Sequence, residues 1–174
     1  MFNKDGTVSL LRFHAQVFYS SPAIGDINGD GYLDIVIGTG DYAVNAGKGY
    51  KVYAYDRNGS LLSGWPVSTG GYVFSSPALA DLDGNLNPDV IAIAEDGKVY
   101  AWNGSGAQLW APVQPVATFG GVSAPFTSSP VVGDVGGCSF SGGSNPAAGS
   151  NSILFGIASE VGAVNSTGAQ VTDY

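Results

Sequence analysis

Three segments of this chain are copies of one another, and that self-similarity constrains the fold more than any other feature. "YSSPAIGDINGD" begins at Tyr19, "FSSPALADLDGN" at Phe74 and "TSSPVVGDVGG" at Thr127. Their leading aspartates, Asp26, Asp81 and Asp134, stand 55 and 53 residues apart. An apolar run follows each: "DIVIGTG", "DVIAIAE" and "ILFGIAS". Each run leads to a further strand-like segment and a glycine turn: "VYAYDRNGS", "VYAWNGSGA" and "VGAVNSTGA". The start of the chain holds another copy of that last part, because "FNKDGT" at Phe2 matches "YDRNGS" at Tyr55. The chain therefore begins and ends at the same phase of its repeat. A fixed period of this length signals a repeat architecture in which each unit buries its apolar faces against its neighbours.

Within a repeat the pattern is that of strands. "SSPAIGDI" and "DIVIG" are short, β-branched and bounded by turn residues, and "KVYAYD" alternates with period two. "LLSGWPVST" supplies a proline-marked fourth segment suited to an outer edge. No segment spaces its apolar residues at i, i+3 and i+4 over three turns, so very little helix is expected. Four strands in about 50 residues is the size of one propeller blade. The expected fold is all-β, with about three four-stranded antiparallel blades; stacked hairpins in a solenoid are the competing architecture. Propellers close with about 4–8 blades, so three blades form an incomplete propeller or a unit that completes a ring by self-association. The expected units are residues 1–18, the last strand or strands of a preceding blade; 19–73, blade 1; 74–126, blade 2; and 127–174, a degenerate and partial blade 3.

Charge is scarce and concentrated. Only 11% of the 174 residues are charged, with 14 Asp plus Glu against 6 Lys plus Arg, for a net charge of −8. With 44% hydrophobic residues, disorder is excluded, and with no basic stripe nucleic-acid binding is disfavoured. Six of the 14 acids, Asp26, Asp30, Asp34, Asp81, Asp83 and Asp89, lie in two nine-residue windows. "DINGDGYLD" places Asp26, Asn28, Asp30, Tyr32 and Asp34 at positions 1, 3, 5, 7 and 9. Oxygen side chains at alternate positions, a backbone carbonyl at position 7 and glycines that accept positive φ make up a calcium loop. Calcium takes six to eight oxygens at about 2.3–2.6 Å, and a tight loop turns its odd positions inward. Position 12, where an EF-hand has its bidentate glutamate, is Ile37, so Asp34 must close the cage.

"DLDGNLNPD" repeats the arrangement with Asp81, Asp83, Asn85, the Asn87 carbonyl and Asp89. Leu86 replaces Gly31 at position 6, which is expected to strain the turn. The third window, "DVGGCSFSG", keeps only Asp134, and no calcium is expected there. A metal-free Asp/Asn/Gly turn is the plainer alternative. Two matches at one repeat phase favour two cation cages, as does the mutual repulsion of six carboxylates without a counterion. Calcium is preferred to magnesium because such a cage is flexible and built wholly from protein. Two bound cations would move the net charge to about −4.

The residues "SSPAIGDINGDGYLDIVIGTG" and "SSPALADLDGNLNPDVIAIAEDGKVYAWN" resemble FG-GAP/VCBS repeats, the blades of integrin-α-type β-propellers and of many secreted bacterial proteins. The resemblance covers nearly the whole chain and weakens between about Gly136 and Ser152. It implies Ca2+ in the loop between the first two strands of a blade, held by Asp26, Asn28, Asp30, Tyr32 and Asp34, and by Asp81, Asp83, Asn85, Asn87 and Asp89. It also implies that the cation stabilises the blade and takes no part in catalysis.

Other residues carry less. His14 has no Cys, Ser or acidic partner at a recognised spacing, and no G-x-S-x-G elbow surrounds the paired serines, which are expected to bond at strand starts. Trp65, Trp102, Trp110, Tyr53, Tyr55 and Tyr100 could offer a sugar-stacking face, but blade-to-blade packing explains them at less cost. Three N-x-S/T sequons, at Asn58, Asn103 and Asn165, sit in the hairpin turn, where Asn-Gly suits type I′ geometry and a glycan could attach. Cys138 is the only cysteine, which excludes an internal disulfide. The first sixteen residues lack the uninterrupted apolar stretch of a signal peptide, and no run of about 18 apolar residues predicts a membrane span. The expected role is a non-catalytic, secreted or cell-surface calcium-binding propeller segment, in adhesion or protein–protein assembly. A protein or glycan ligand is expected, along with self-association that completes the ring. The competing readings are the propeller part of a secreted polysaccharide lyase or hydrolase, and a glycan-binding lectin.

Overall fold

In a computed structural model of the chain, residues 18–40, 49–114, 128–134, 151–157 and 160–169 are described. His14, Cys138, the segment 1–17 and nearly all of the third Asp-led window lie outside them. The described residues form three antiparallel sheets and no helix. The first sheet runs in order through β1 (Ala23–Gly25), β2 (Asp34–Gly38), β3 (Lys51–Tyr55) and β4 (Val67–Ser68). The second holds β5 (Ala78–Ala80), β6 (Asp89–Ala94) and β7 (Lys98–Trp102). The third holds β8 (Val131–Asp134), β9 (Asn151–Ile157) and β10 (Glu160–Asn165). These are propeller blades, each a meander of neighbouring strands. In the second blade the outer strand is reduced to two bridges, Val99 with Val113 and Trp102 with Gln108. Residues 108–113 thus stand where β4 stands in the first blade. Pro112 supplies no N–H for a longer ladder there.

Packing follows from the side-chain period of two. In β6 all six residues are buried, because this strand is covered on both faces. Val90, Ala92 and Ala94 join Val36, Val52, Ala54, Trp65 and Val67 in the core between the first and second blades. Ile91 and Ile93 join Ile153, Phe155 and Val164 between the second and third. Trp65, Tyr100 and Trp102 belong to the first of these cores, and Trp110 packs against the second. Trp65, Trp102, Tyr53, Tyr55 and Tyr100 are buried, and Tyr100 stacks on Trp102 at 5.4 Å. The Tyr100 hydroxyl also accepts Gly70 N–H, which ties the two blades together (2.8 Å). Burial, with Asp96 hydrogen-bonded beside it, pushes that hydroxyl's pKa up to about 12, so it stays a phenol.

The first serine of each pair extends the ladder where proline cannot. Ser20 Oγ donates to Gly38 O and accepts Gly38 N–H (3.1 and 2.9 Å). Ser75 does the same with Ile93, and Ser128 with Gly156. The strand-start role expected of the serines is therefore found. The hairpin turns differ from expectation. A type I′ turn needs positive φ at both central residues, but Asn58 is not in that region and only Gly59 is, at φ 79°. The turn runs from Asp56 to Gly59, with Gly59 N–H on Asp56 O, and Asp56 Oδ1 accepts Asn58 and Ser60 N–H. Asn103 and Asn165 take the place of Asp56 in the other blades, followed by Gly106 and Gly168 at φ 76° and 80°. The short side chain that bonds its own turn sets this geometry, and the Asn-Gly pair does not.

Candidate metal centres

Both Asp-led loops join the first two strands of a blade. The register Gly25 opposite Asp34 and Ala80 opposite Asp89 holds their two ends together. The loops then fold with the same hydrogen bonds, position for position. Asp26 Oδ1 accepts Gly29 and Asp30 N–H, and its Oδ2 accepts Gly31 N–H (2.8, 3.1 and 2.8 Å). Asp81 accepts Gly84, Asn85 and Leu86 N–H in the same way (2.7, 3.1 and 2.9 Å). Asn28 Oδ1 and Asp83 Oδ1 accept from two residues on, as do Asp30 Oδ1 and Asn85 Oδ1. Last, Asp34 Oδ2 accepts Ile27 N–H, and Asp89 Oδ2 accepts Leu82 N–H. Ile27 and Leu82 are themselves buried, which anchors each loop to the core at position 2.

These bonds leave one buried carboxylate oxygen over in each loop. Asp34 and Asp89 are each only 1% exposed, and Oδ1 of each has no hydrogen-bond partner among the described residues. An unpartnered buried carboxylate oxygen is costly unless something else satisfies it. Burial raises both carboxyl pKa values, opposed by the backbone N–H bonds. The neighbouring charges, Asp30 and Asp26 at one site and Asp83 and Asp81 at the other, raise them further. A divalent cation would reverse both effects. The donor set is all oxygen, which suits a hard cation.

The two sites are not equal. In the second, ligand oxygens of Asp81, Asp83 and Asp89 lie within 4.8 Å of one another and could hold a metal. No other three acidic, His or Cys side chains among the described residues converge in this way, so Asp26, Asp30 and Asp34 are less closely gathered. The loops swap acid and amide: position 3 is Asn28 in one and Asp83 in the other, position 5 is Asp30 and then Asn85. In the first loop Asp30 Oδ2 also accepts Asn28 Nδ2 at 3.2 Å. Tyr32, at position 7, lies under the Arg57 guanidinium, 3.5 Å from the ring centroid.

Leu86 adopts φ 73°, the left-handed conformation of its counterpart Gly31 at 85°. It is exposed, so no packing offsets the strain. Leu86→Gly is expected to raise stability by about 1 kcal/mol, read by urea denaturation.

Several contacts around the loops join residues far apart in sequence, and no spacing announced them. Asn151 Nδ2, from β9, donates to Asp81 O at 2.8 Å. Gly104, in the hairpin turn of the second blade, lies on the first loop so closely that a Cβ there would meet Ile27 O at 1.7 Å. A Cβ at Gly29 would meet Asn87 Oδ1 at 2.9 Å, so the two loops are themselves neighbours. In the third blade Gly133 pairs with Ser152, which puts Ser152 in the register of Asp34 and Asp89. Its buried Oγ, like Asp34 Oδ1 and Asp89 Oδ1, has no partner among the described residues.

The FG-GAP-like repeat family matches the sequence over residues 26–92, a stretch that includes both loops. Among curated proteins none matches this sequence. Among solved structures, the chain is similar to BBS1N in its complex with ARL6DN, soaked with lead, at 12% identity and a TM-score of 0.54. That match covers 94% of this chain and 43% of the other, so this chain spans less than half of that protein's length. A second similar structure is the V. cholerae biofilm matrix protein Bap1, at 15% identity and a TM-score of 0.37, over 88% of this chain and 28% of that one. Residues 26–92, with the two oxygen-lined loops, are thus similar to FG-GAP-like repeats and lie on β-propeller blades.

Proposed function

We propose that this chain is a non-catalytic, calcium-stabilised propeller segment that serves extracellular adhesion or protein–protein assembly. The observation that carries the reading is the pair of buried, unpartnered oxygens, Asp34 Oδ1 and Asp89 Oδ1, at the same position of two matching loops. Asp26, Asn28, Asp30, the Tyr32 carbonyl and Asp34 would hold one Ca2+; Asp81, Asp83, Asn85, the Asn87 carbonyl and Asp89 would hold the other. The cation's contribution is charge: it compensates three carboxylates per loop and fixes the join between two strands. The protein's own residues do the rest, since the backbone N–H bonds shape each loop before any cation arrives. An extracellular setting supports filling, because cages of this kind in extracellular modules bind at about 10⁻⁴–10⁻³ M. No helix among the described residues is long and apolar enough to cross a membrane. BBS1N is seen with a protein partner, and a protein partner is the one we carry here.

Calorimetry of chelator-treated protein tests the reading. Two calcium ions per chain are expected, with the second-blade site filling first because its carboxylates already converge. Asp30→Ala should remove one binding event and leave the other. Absence of calcium uptake, or uptake indifferent to Asp30→Ala, would end the proposal.

A further inference from the structure

Asn87 belongs to both Asp-led loops at once. Its N–H donates to Asn85 Oδ1 at 2.7 Å, and its carbonyl is the position-7 ligand expected for the second cage, so its backbone is part of that loop. Its half-buried side chain lies on the first loop instead. A Cβ at Gly29 would stand 2.9 Å from Asn87 Oδ1 and 3.4 Å from its Cγ. Pro88 continues the contact, 4.0 Å from a Cβ at Gly25. Gly25 and Gly29 bracket Asp26, and Gly29 N–H donates to Asp26 Oδ1 at 2.8 Å. The first aspartate of the first cage is therefore held by a turn that rests on the second loop. Asn151 Nδ2 reaches Asp81 O from the third blade in the same sense. Each loop is backed by the blade that follows it.

The two loops start from different states. Asp81, Asp83 and Asp89 already converge, whereas Asp26, Asp30 and Asp34 are less closely gathered. The first loop has further to close on a cation. Closing draws Asp30 inward and carries Gly29 with it, along the Asn87 amide. An Asn87 held by a filled second cage gives Gly29 one position to settle against, and a loose Asn87 does not.

We infer that the two cation cages are coupled through the Asn87 side chain, so that filling the second raises the affinity of the first. The inference rests on the calcium reading above and adds its regulation. Such coupling is reciprocal: each cage raises the other's affinity by the same factor. Repulsion between the two cations works the other way. Both loop tips are exposed, and physiological salt screens exposed charges beyond about 8 Å.

Calcium calorimetry of the whole chain at physiological ionic strength tests it. Asp30→Ala leaves the second cage alone, and Asp83→Ala leaves the first alone. The product of the parent's two association constants should exceed the product of these single-cage constants by about fivefold or more. Asn87→Ala keeps the position-7 carbonyl and changes no charge, so it should still take up two cations. With the single-cage variants remade in that background, the excess should fall towards one. Asn87→Ser, which also lacks the amide, should behave alike, and it replaces the alanine variant if circular dichroism shows that one unfolded. Two bound cations with no excess over the single cages would overturn the coupling and leave the cages standing. An excess that survives loss of the Asn87 amide would overturn the inference as well, since the coupling would then run elsewhere. No calcium uptake by the parent would remove cages and coupling together.

Discussion

Asp89→Asn is expected to shift the thermal midpoint in opposite directions with and without calcium. Without a cation, burial and then the Asp83 and Asp81 charges raise the Asp89 pKa above its ordinary value, against the Leu82 N–H bond. A carboxyl whose folded pKa is raised contributes stability below its unfolded pKa and loses it as pH rises through the folded value. At neutral pH the cation-free protein therefore bears the cost of an ionised, buried Asp89. Asparagine removes that charge, still accepts from Leu82 N–H, and can donate towards the neighbouring carboxylates. The chelated variant should melt above the chelated parent at pH 7, and the gap should close on acidification towards pH 4. With calcium the order reverses. A site filled at ten to a hundred times its dissociation constant adds about 1.4–2.7 kcal/mol, which the variant forgoes. At about 2–4 °C per kcal/mol, the calcium-dependent rise in midpoint should shrink by roughly 3–10 °C. Scanning calorimetry at two pH values, with and without calcium, reads all four cases. A variant that melts below the parent in every one would show that Asp89 is a structural acid and no cation ligand. Ser152 stands in the same register of the third blade with no charge to compensate, so that blade should be indifferent to calcium.

Gly104→Ala is expected to cost about 3 kcal/mol and to disable the first cation loop selectively. Gly104 does not need glycine for its φ; it needs space, since a Cβ would lie 1.7 Å from Ile27 O and 2.6 Å from Ile27 C. Backbone meets backbone there, so no side chain can swing aside, and overpacked sites of this sort lie at the costly end. The Gly104 carbonyl also accepts Trp65 Nε1–H at 2.9 Å, which holds the turn against the first blade from the other side. Ile27 is position 2 of the loop, and its N–H orients Asp34. Displacing it should spoil the first site and leave the second intact. Urea denaturation gives the stability and calcium calorimetry counts the sites. Gly31→Ala is a fitting comparison: nothing among the described residues lies within 4 Å of its Cβ position, but its φ of 85° makes alanine cost about 1 kcal/mol. If Gly104→Ala bound two calcium ions at parental stability, hairpin and loop would not be in contact.

What the sequence disclosed was local or periodic. The odd positions of "DINGDGYLD" and "DLDGNLNPD" could be read as one loop because its bonds join residues two to seven apart. The strain at Leu86 was visible because Gly31 occupies the same position in the sister loop. The seams were harder to foresee, because Gly104 on Ile27 and Asn151 on Asp81 join residues no spacing relates. The third blade shows why counting alone fails. Numbered from Asp134, its ligand positions fall on Gly136 and Cys138, yet pairing with Gly133 brings Ser152 to the place of Asp34 and Asp89. Strand register, and not loop length, fixes that position. The hairpins misled for a related reason. Asn58-Gly59 has the composition of a type I′ turn, but Asp56 bonds the turn first and shifts the positive φ to the glycine alone.

A crystal structure of the chain grown with calcium chloride tests the central claim most directly. The cages predict a spherical density peak in each loop, about 2.3–2.6 Å from Asp34 Oδ1 and from Asp89 Oδ1, with six to eight oxygens around it. Ordered loops whose Asp34 and Asp89 Oδ1 atoms bind water or remain bare at saturating calcium would contradict the account.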